Sequence, residues 1–256
     1  MKALLVIPAR YASSRFPGKP LAGLRGAGGE SRSLIRRTWD AARQVDGIAR
    51  IVVATDDARI RETCEGFGAE VAMTSTRHVN GTERCAEVAA AMRDYDVVVN
   101  LQGDAPLTPP WFVESLLEAM TRPEVSVATP VLRCDSATLD QLREDRRQGR
   151  VGGTTVVCDN NGKALYFSKE VLPFGADGVL HHVGVYAYRP DALHRYRQWP
   201  ESALEAAEGL EQLRFLENGV AVHCVPVNAR GRHFWELNNP EDVDLIEQAL
   251  QEQGRA

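Results

Sequence analysis

The run Val97-Val98-Val99-Asn100-Leu101 is almost continuously apolar, with no alternation of apolar and polar residues. A strand with one wet face alternates. A strand covered on both faces does not, and such strands belong to parallel sheets sandwiched between helices. The stretch 96–101 is therefore read as an interior strand. Apolar runs around it recur in a strand–helix rhythm, with strands over 3–7, 50–54 and 69–73 and helices over 33–45, 57–67 and 82–92. A further helix over 109–120 has proline in its first turn. Short connections and repeated crossovers predict an α/β fold on a doubly wound, mostly parallel sheet.

Beyond a strand at 126–132 the rhythm changes. Residues 154–159 and 164–168 flank the turn Asn160-Asn161-Gly162 and predict a small β-hairpin subdomain. A strand over 182–188, a helix over 203–218 stopped by Gly219, a strand over 220–225 and a closing helix over 239–251 follow. The highly charged segment 136–150 reads as a flexible connection or a mobile helix.

Function classes are narrowed by charge. A net charge of −5 over 256 residues offers no footprint for nucleic acid or an anionic membrane surface. Any anionic ligand must then be met by local clusters of cations. No apolar stretch is long enough to span a bilayer, and Met1-Lys2 leads straight into a strand, so a cytoplasmic protein is expected. Five cysteines, odd in number, scattered and without C-x-x-C spacing, predict buried reduced thiols rather than a zinc site or a redox dithiol.

The first strand feeds Pro8-Ala9-Arg10-Tyr11-Ala12-Ser13-Ser14-Arg15-Phe16-Pro17-Gly18-Lys19. Small residues allow backbone N–H groups to wrap phosphate oxygens, while Arg10, Arg15 and Lys19 supply neutralising charge. The Walker pattern is absent, so this is a nucleotide loop of another design. Gln102-Gly103-Asp104 follows the valine-rich strand, at the strand end where open α/β sheets bind ligands. Asp104 reads equally as a ligand for a divalent cation that bridges phosphates and as an Asx turn before the next helix.

Other segments are less decided. One aspartate of Thr55-Asp56-Asp57 is read as a helix cap, and Asn80-Gly81 as a turn and cap whose amides could also read a base or phosphate. Gly23 to Gly29 loosely resembles a dinucleotide fingerprint but does not follow a strand directly, so it is read as a flexible turn; an NAD-dependent oxidoreductase is the distant alternative. His182, Tyr186 and Tyr188 share one strand face, and His181 points to the other, which disfavours a metal held by both histidines. Glu211-Gln212 sits in mid-helix and could be a solvated face. Glu236, Asn238 and Asn239 precede the last helix as oxygen ligands or as a cap.

Taken in order, Ile7 to Arg15 with Pro17-Gly18-Lys19-Pro20, Ile51 to Asp56, Gly81-Thr82-Glu83-Arg84, Gln102-Gly103-Asp104, Ala164 to Ser168, Leu210 to Arg214 and Pro240-Glu241-Asp242 resemble the CMP-Kdo synthetases, the cytidylyltransferases that activate 3-deoxy-manno-octulosonate (Kdo). The resemblance runs nearly end to end. It implies a nucleotidyltransferase fold, a homodimer, and Mg²⁺-dependent attack of an acidic acceptor on the α-phosphorus of CTP, releasing diphosphate. On it Ala9, Arg10, Ser13, Ser14, Arg15 and Lys19 would hold the triphosphate, and Met73, Thr74, Arg77, Asn80 and Gly81 would line the cytosine and ribose pocket. Asp104 would carry the metal, and Gln102, His181, His182, Tyr186, Glu211 and Gln212 would face the acceptor. The chain would be one domain, with 1–132 as the nucleotide half and 133–256 as the acceptor and dimerisation half.

Departures from the family pattern lie on the acceptor and metal side. The acidic residue after Gly-Asp is Ala105, and the second metal-binding aspartate is Asn238, which leaves Glu236 to supply an oxygen from two residues away. The arginine before the acceptor histidine is His181, a lysine near the hairpin start is Thr154 or Thr155, and the stretch from Pro173 to His181 is short. These changes keep two acceptors open, Kdo and the smaller phosphonoformate of phosphonate pathways. A non-catalytic nucleotide-binding relative is the reading of another class.

Overall fold

The computed structural model describes residues 1–12, 16–150, 153–232 and 234–255. The strand–helix rhythm folds as β1 (Ala3–Ala9), the hairpin β2 (Gly23–Arg25) and β3 (Ser31–Ser33), α1 (Leu34–Ala42), β4 (Ile48–Thr55), α2 (Ala58–Gly66), β5 (Glu70–Met73), α3 (Gly81–Ala91), β6 (Val97–Leu101) and α4 (Pro110–Ala119). It continues with β7 (Val127–Arg133), α5 (Ser136–Arg147), β8 (Thr155–Cys158), β9 (Ala164–Ser168), β10 (Leu180–His182), β11 (Val185–Tyr188), α6 (Pro190–Tyr196), α7 (Ala203–Glu208), α8 (Leu213–Glu217), β12 (Val222–Val227) and α9 (Asp242–Glu252).

A ten-stranded sheet runs β5-β4-β1-β6-β11-β7-β10-β8-β9, with β12 added beside β7. Its first four strands are parallel, β11 joins β6 antiparallel, and the β8–β9 hairpin extends the far edge. Both faces are covered, as the valine run requires. Leu5 and Ile7 of β1 pack with Phe112 and Leu116 of α4, while Leu4 and Val6 pack on the other face with Cys85 and Val88 of α3. Placing such side chains out of water on both faces stabilises the sheet by about 2 kcal/mol per residue.

Two local expectations need correction, and two others become definite. The segment 203–218 is two short helices, because Gly209 takes a left-handed φ of 62° that ends α7 and turns the chain before α8. The strand 182–188 is interrupted between His182 and Val185, where Thr129 Oγ1 donates to the carbonyls of Val183 and Val185 at 3.0 and 2.9 Å. The charged segment 136–150 contains a capped helix: Asp135 accepts from the Thr138 amide at 2.8 Å, and Arg146 donates to the carbonyls of Lys169 and Gly153. The glycines near position 26 close a β2–β3 hairpin, whose Leu24 packs against Ile246 and Leu250 of α9; they are not a dinucleotide loop.

Candidate active site

The carboxyl ends of β1 and β6 open into one cavity of about 580 Å³. Its nucleotide side begins in the loop after β1. Gly18, at φ 73°, donates its amide to the Tyr11 carbonyl at 2.9 Å, and a Cβ there would lie 3.1 Å from the Tyr11 ring. This turn delivers Lys19, whose Nζ donates to Asp104 Oδ2 at 2.6 Å and to the Leu237 carbonyl at 2.7 Å. Arg10, more exposed, donates to the Val79 carbonyl at 3.1 Å. Ser13, Ser14 and Arg15 fall outside the described residues.

Gly103 lets the two loops meet. Its amide donates to the Pro8 carbonyl at 3.2 Å, and a Cβ would stand 2.7 Å from that backbone oxygen. Asp104 thus sits across from Lys19, not in an isolated turn.

The strap that follows β12 closes the cavity from the other side. Trp111 donates through Nε1 to the Asn228 carbonyl at 2.9 Å, and the guanidinium carbons of Arg230 and Arg232 lie 4.6 and 4.8 Å from its ring centroid. Neither Asn238 nor Asn239 caps α9: the Asp242 side chain, on its first residue, accepts from both of their amides and from Trp235 Nε1 and so ties the strap to the helix. The Leu237 amide donates to the Asp104 carbonyl at 2.9 Å. Glu236 enters the cavity so close to Gly184 that a Cβ there would lie 2.8 Å from Oε1. Burial, and then the nearby Asp104 charge, push the Glu236 carboxyl up to about 7, and the Asn238 side chain hydrogen-bonds to it.

On the remaining wall Asn80 caps α3 by accepting from the Glu83 amide at 2.8 Å, and its Nδ2 donates to Tyr196 at 3.0 Å. Gly81 leaves room for Gln102, where a Cβ would be 2.8 Å from Nε2. Gln102 donates to Glu211 Oε1 at 3.2 Å, and the Thr82 amide donates to Glu211 Oε2 at 3.1 Å. The pair Glu211-Gln212 lies in the break between α7 and α8, not on a solvated helix face. Met73, Thr74 and Arg77 do not line the cavity; the Thr74 hydroxyl accepts from Arg84, and Arg77 is exposed. The lining there is His78 to Gly81 with Arg84.

His181 and His182 both line the cavity, and burial holds their rings down to about 4 and about 3, so both are neutral at pH 7. His182 meets the Phe167 ring edge-on and the Tyr186 ring at a tilt, so it shares a face with Tyr186 as expected, although the two lie on separate strands. His182 Nε2 and Gln212 Nε2 are buried and have no hydrogen-bond partner among the described residues. Such groups are costly unless a ligand satisfies them.

Lys169 was missed by sequence reasoning. It follows β9, reaches the cavity, and approaches Gly209 so closely that a Cβ there would lie 2.9 Å from Nζ. It forms no ion pair of 4.0 Å or less among the described residues, so its charge is available to an anion.

Burial also raises the Glu211 carboxyl to about 7. The neutral form is favoured by the fold, so its stabilisation is complete below pH 4.5 and is lost as pH rises through about 7. Between pH 5 and 8 the ligand-free protein is expected to lose more of its thermal midpoint than Glu211→Gln, because Glu236, His181 and His182 titrate alike in both proteins. Equal slopes in both proteins would contradict the assignment.

A parallel α/β sheet with a cationic loop facing a carboxylate at its carboxyl edge defines a nucleotidyltransferase-type protein. The cytidylyltransferase family profile matches residues 4–223. Over 99% of both chains, the sequence is 41% identical to 3-deoxy-manno-octulosonate cytidylyltransferase of Maricaulis maris (strain MCS10). It is 38% identical to 8-amino-3,8-dideoxy-manno-octulosonate cytidylyltransferase of Shewanella sp. (strain W3-18-1), over 98% of this chain and 99% of that one. A solved CMP:2-keto-3-deoxy-manno-octonic acid synthetase complexed with CTP superposes with a TM-score of 0.85 at 35% identity, covering 99% of this chain and all of the other. The chain belongs to the cytidylyltransferase family. It is a nucleotidyltransferase enzyme, which sets aside the oxidoreductase and non-catalytic readings.

Proposed function

We propose that this enzyme transfers the cytidylyl group from CTP to 3-deoxy-manno-octulosonate, releasing diphosphate. The observation that carries the reading is the meeting of Lys19 and Asp104 at 2.6 Å, inside a cavity whose opposite wall presents unpartnered donors. Arg10 and Lys19 bind the triphosphate and offset the charge that builds on the leaving diphosphate. Asn80 and Gly81 hold the nucleoside end. Gln102, His182, Tyr186, Gln212 and Lys169 grip the acceptor, with the Lys169 ammonium on its carboxylate. Held in line, an acceptor oxygen bonds to the α-phosphorus as the bond to diphosphate breaks. The sugar-acid names of the near full-length relatives favour Kdo over phosphonoformate.

The residues present fit a Mg²⁺ ion. Asp104 and Glu236 face each other closely enough for the Asp104 charge to raise the Glu236 carboxyl, and Asn238 adds a carboxamide oxygen. Two carboxylates suffice for Mg²⁺ when substrate phosphates and water complete its shell. When bound, the ion supplies charge neutralisation at the phosphates. The same reading includes a cytoplasmic homodimer of single-domain subunits. Exposed Leu165 and Phe174 at the far sheet edge offer such a dimer an apolar surface, and no helix among the described residues is long and apolar enough to cross a membrane.

Diphosphate release with CTP and each of Kdo, its 8-amino-8-deoxy analogue and phosphonoformate tests the proposal. The largest kcat/KM is expected on Kdo; turnover of phosphonoformate alone would overturn it. Lys169→Met is expected to raise the acceptor KM about 10- to 100-fold, since hydrogen bonds to charged groups contribute roughly 1.5–3 kcal/mol. The KM for CTP is expected to stay within about twofold. A rise in both constants would remove Lys169 from the acceptor.

A further inference from the structure

Cys158 and Cys224 lie far apart in the chain and together in the fold. Cys158 ends β8 beside a register shift in its pairing with β9, opposite Ala164. The Asn160-Asn161-Gly162 turn folds back onto β12: the Cys224 amide donates to the Gly162 carbonyl at 2.8 Å, and Lys163 bridges to His223. This places Cys158 against the apolar cluster that contains Cys224, with the two side chains close enough to interact. Cys224 is buried, while Cys158 is only partly so. The other three cysteines are buried, and burial raises each of their thiols.

We propose that Cys158 and Cys224 are a redox modification site, a dithiol that small-molecule disulfides of the glutathione class convert to an intramolecular disulfide, stapling the β8–β9 hairpin to β12. The more accessible Cys158 attacks first, as its thiolate, and breaks the S–S bond of the small disulfide. One small thiol leaves and a mixed disulfide remains on Cys158. Cys224 then gives up its proton and attacks the Cys158 sulfur, expelling the second small thiol. Two protein thiols are oxidised and one small disulfide is reduced to two thiols. Interaction with Cys224 lowers the Cys158 thiol below its ordinary range, and that of Cys224 is raised, the asymmetry expected of an attacking and a resolving sulfur. Paired thiols of this kind in reducing compartments are usually transient or redox-sensing rather than structural.

The test treats the full chain with glutathione disulfide and reads intact mass, denatured free-thiol count and a non-reducing digest. The expected result is a mass lower by about 2 Da, loss of two of the five thiols, and a peptide linking Cys158 to Cys224, all reversed by dithiothreitol. Because a cross-link between distant residues restricts the unfolded chain, the oxidised protein is also expected to melt several degrees higher. Cys224→Ser is expected to stop at a stable glutathione adduct on Cys158. Retention of all five thiols, a lasting adduct on wild-type Cys158, or a cross-link between other cysteines would each overturn the proposal.

Discussion

Asp104→Asn is expected to lower cytidylyl transfer by about 10²- to 10³-fold while leaving the fold intact. Asp104 contributes little to packing: its side chain is 26% exposed, and Lys19 keeps its bond to the Leu237 carbonyl when the carboxylate is lost. What the variant loses is charge at the point where the β1 loop, the β6 loop and the strap converge. That charge holds Lys19 in place and, on the proposed function, supplies the better of the site's two carboxylates for a hard cation, since burial and the Asp104 charge favour the neutral form of Glu236. Initial rates of diphosphate release, with circular dichroism and thermal midpoint as fold controls, check this. Wild-type turnover in a folded Asp104→Asn protein would take the residue out of the reaction.

Arg214→Met is expected to destabilise the protein by about 3–5 kcal/mol, the usual consequence of stranding one partner of a buried ion pair. Arg214 bonds both oxygens of Glu205 at 2.6 and 2.7 Å, reaches Glu83 at 3.1 Å, and lies over the Tyr196 ring. Arg214 and Glu205 are each nearly inaccessible to water. Removing the guanidinium leaves an uncompensated carboxylate among Tyr196, Trp199 and Phe215. The pair Arg214→Met with Glu205→Leu is expected to recover much of the loss, because the fully buried carboxylate is then gone and the partly exposed Glu83 keeps the Val79 amide. Urea unfolding of the single and double variants decides it. A loss below about 1 kcal/mol in Arg214→Met would mean that the pair is not desolvated as described. The same bonds fix the turn that presents Glu211 and Gln212, so the single variant is also expected to weaken acceptor binding.

The parallel half of the fold was legible because its signals are local and periodic. Continuous burial gave β6, apolar runs gave β1 and β4, and Asp57 and Asn80 cap α2 and α3 as their sequence positions suggest. Lys19 and Asp104 were legible through the resemblance and through their positions at strand ends. The break at Gly209 was not, since one glycine inside a stretch of helix formers is ordinarily tolerated and only the buried Glu205–Arg214 pair shows why the chain turns there. Asn238 and Asn239 do not cap α9 because their amides are instead taken by Asp242, whose side chain reaches back from the first helical residue to three donors at once. Glu236 was a candidate from its place two residues before Asn238, whereas Lys169 depends on close approach to Gly209, a contact between segments that no spacing rule relates. The thiol pair depends on a register shift in β8–β9, and a one-residue slip of that kind leaves no trace in composition.

Strand direction reverses at the seam between β6 and β11. On the proposed function, the parallel strands on one side bring the phosphate-facing groups together with Gln102, and the antiparallel strands and hairpin on the other bring most of the groups that meet the acceptor. Evolution can therefore rework what is activated, by substitution along β8 to β11, without disturbing the machinery that handles the activating nucleotide. The departures noted at positions 154, 181 and 173–181 all fall on the side of the seam that is free to vary.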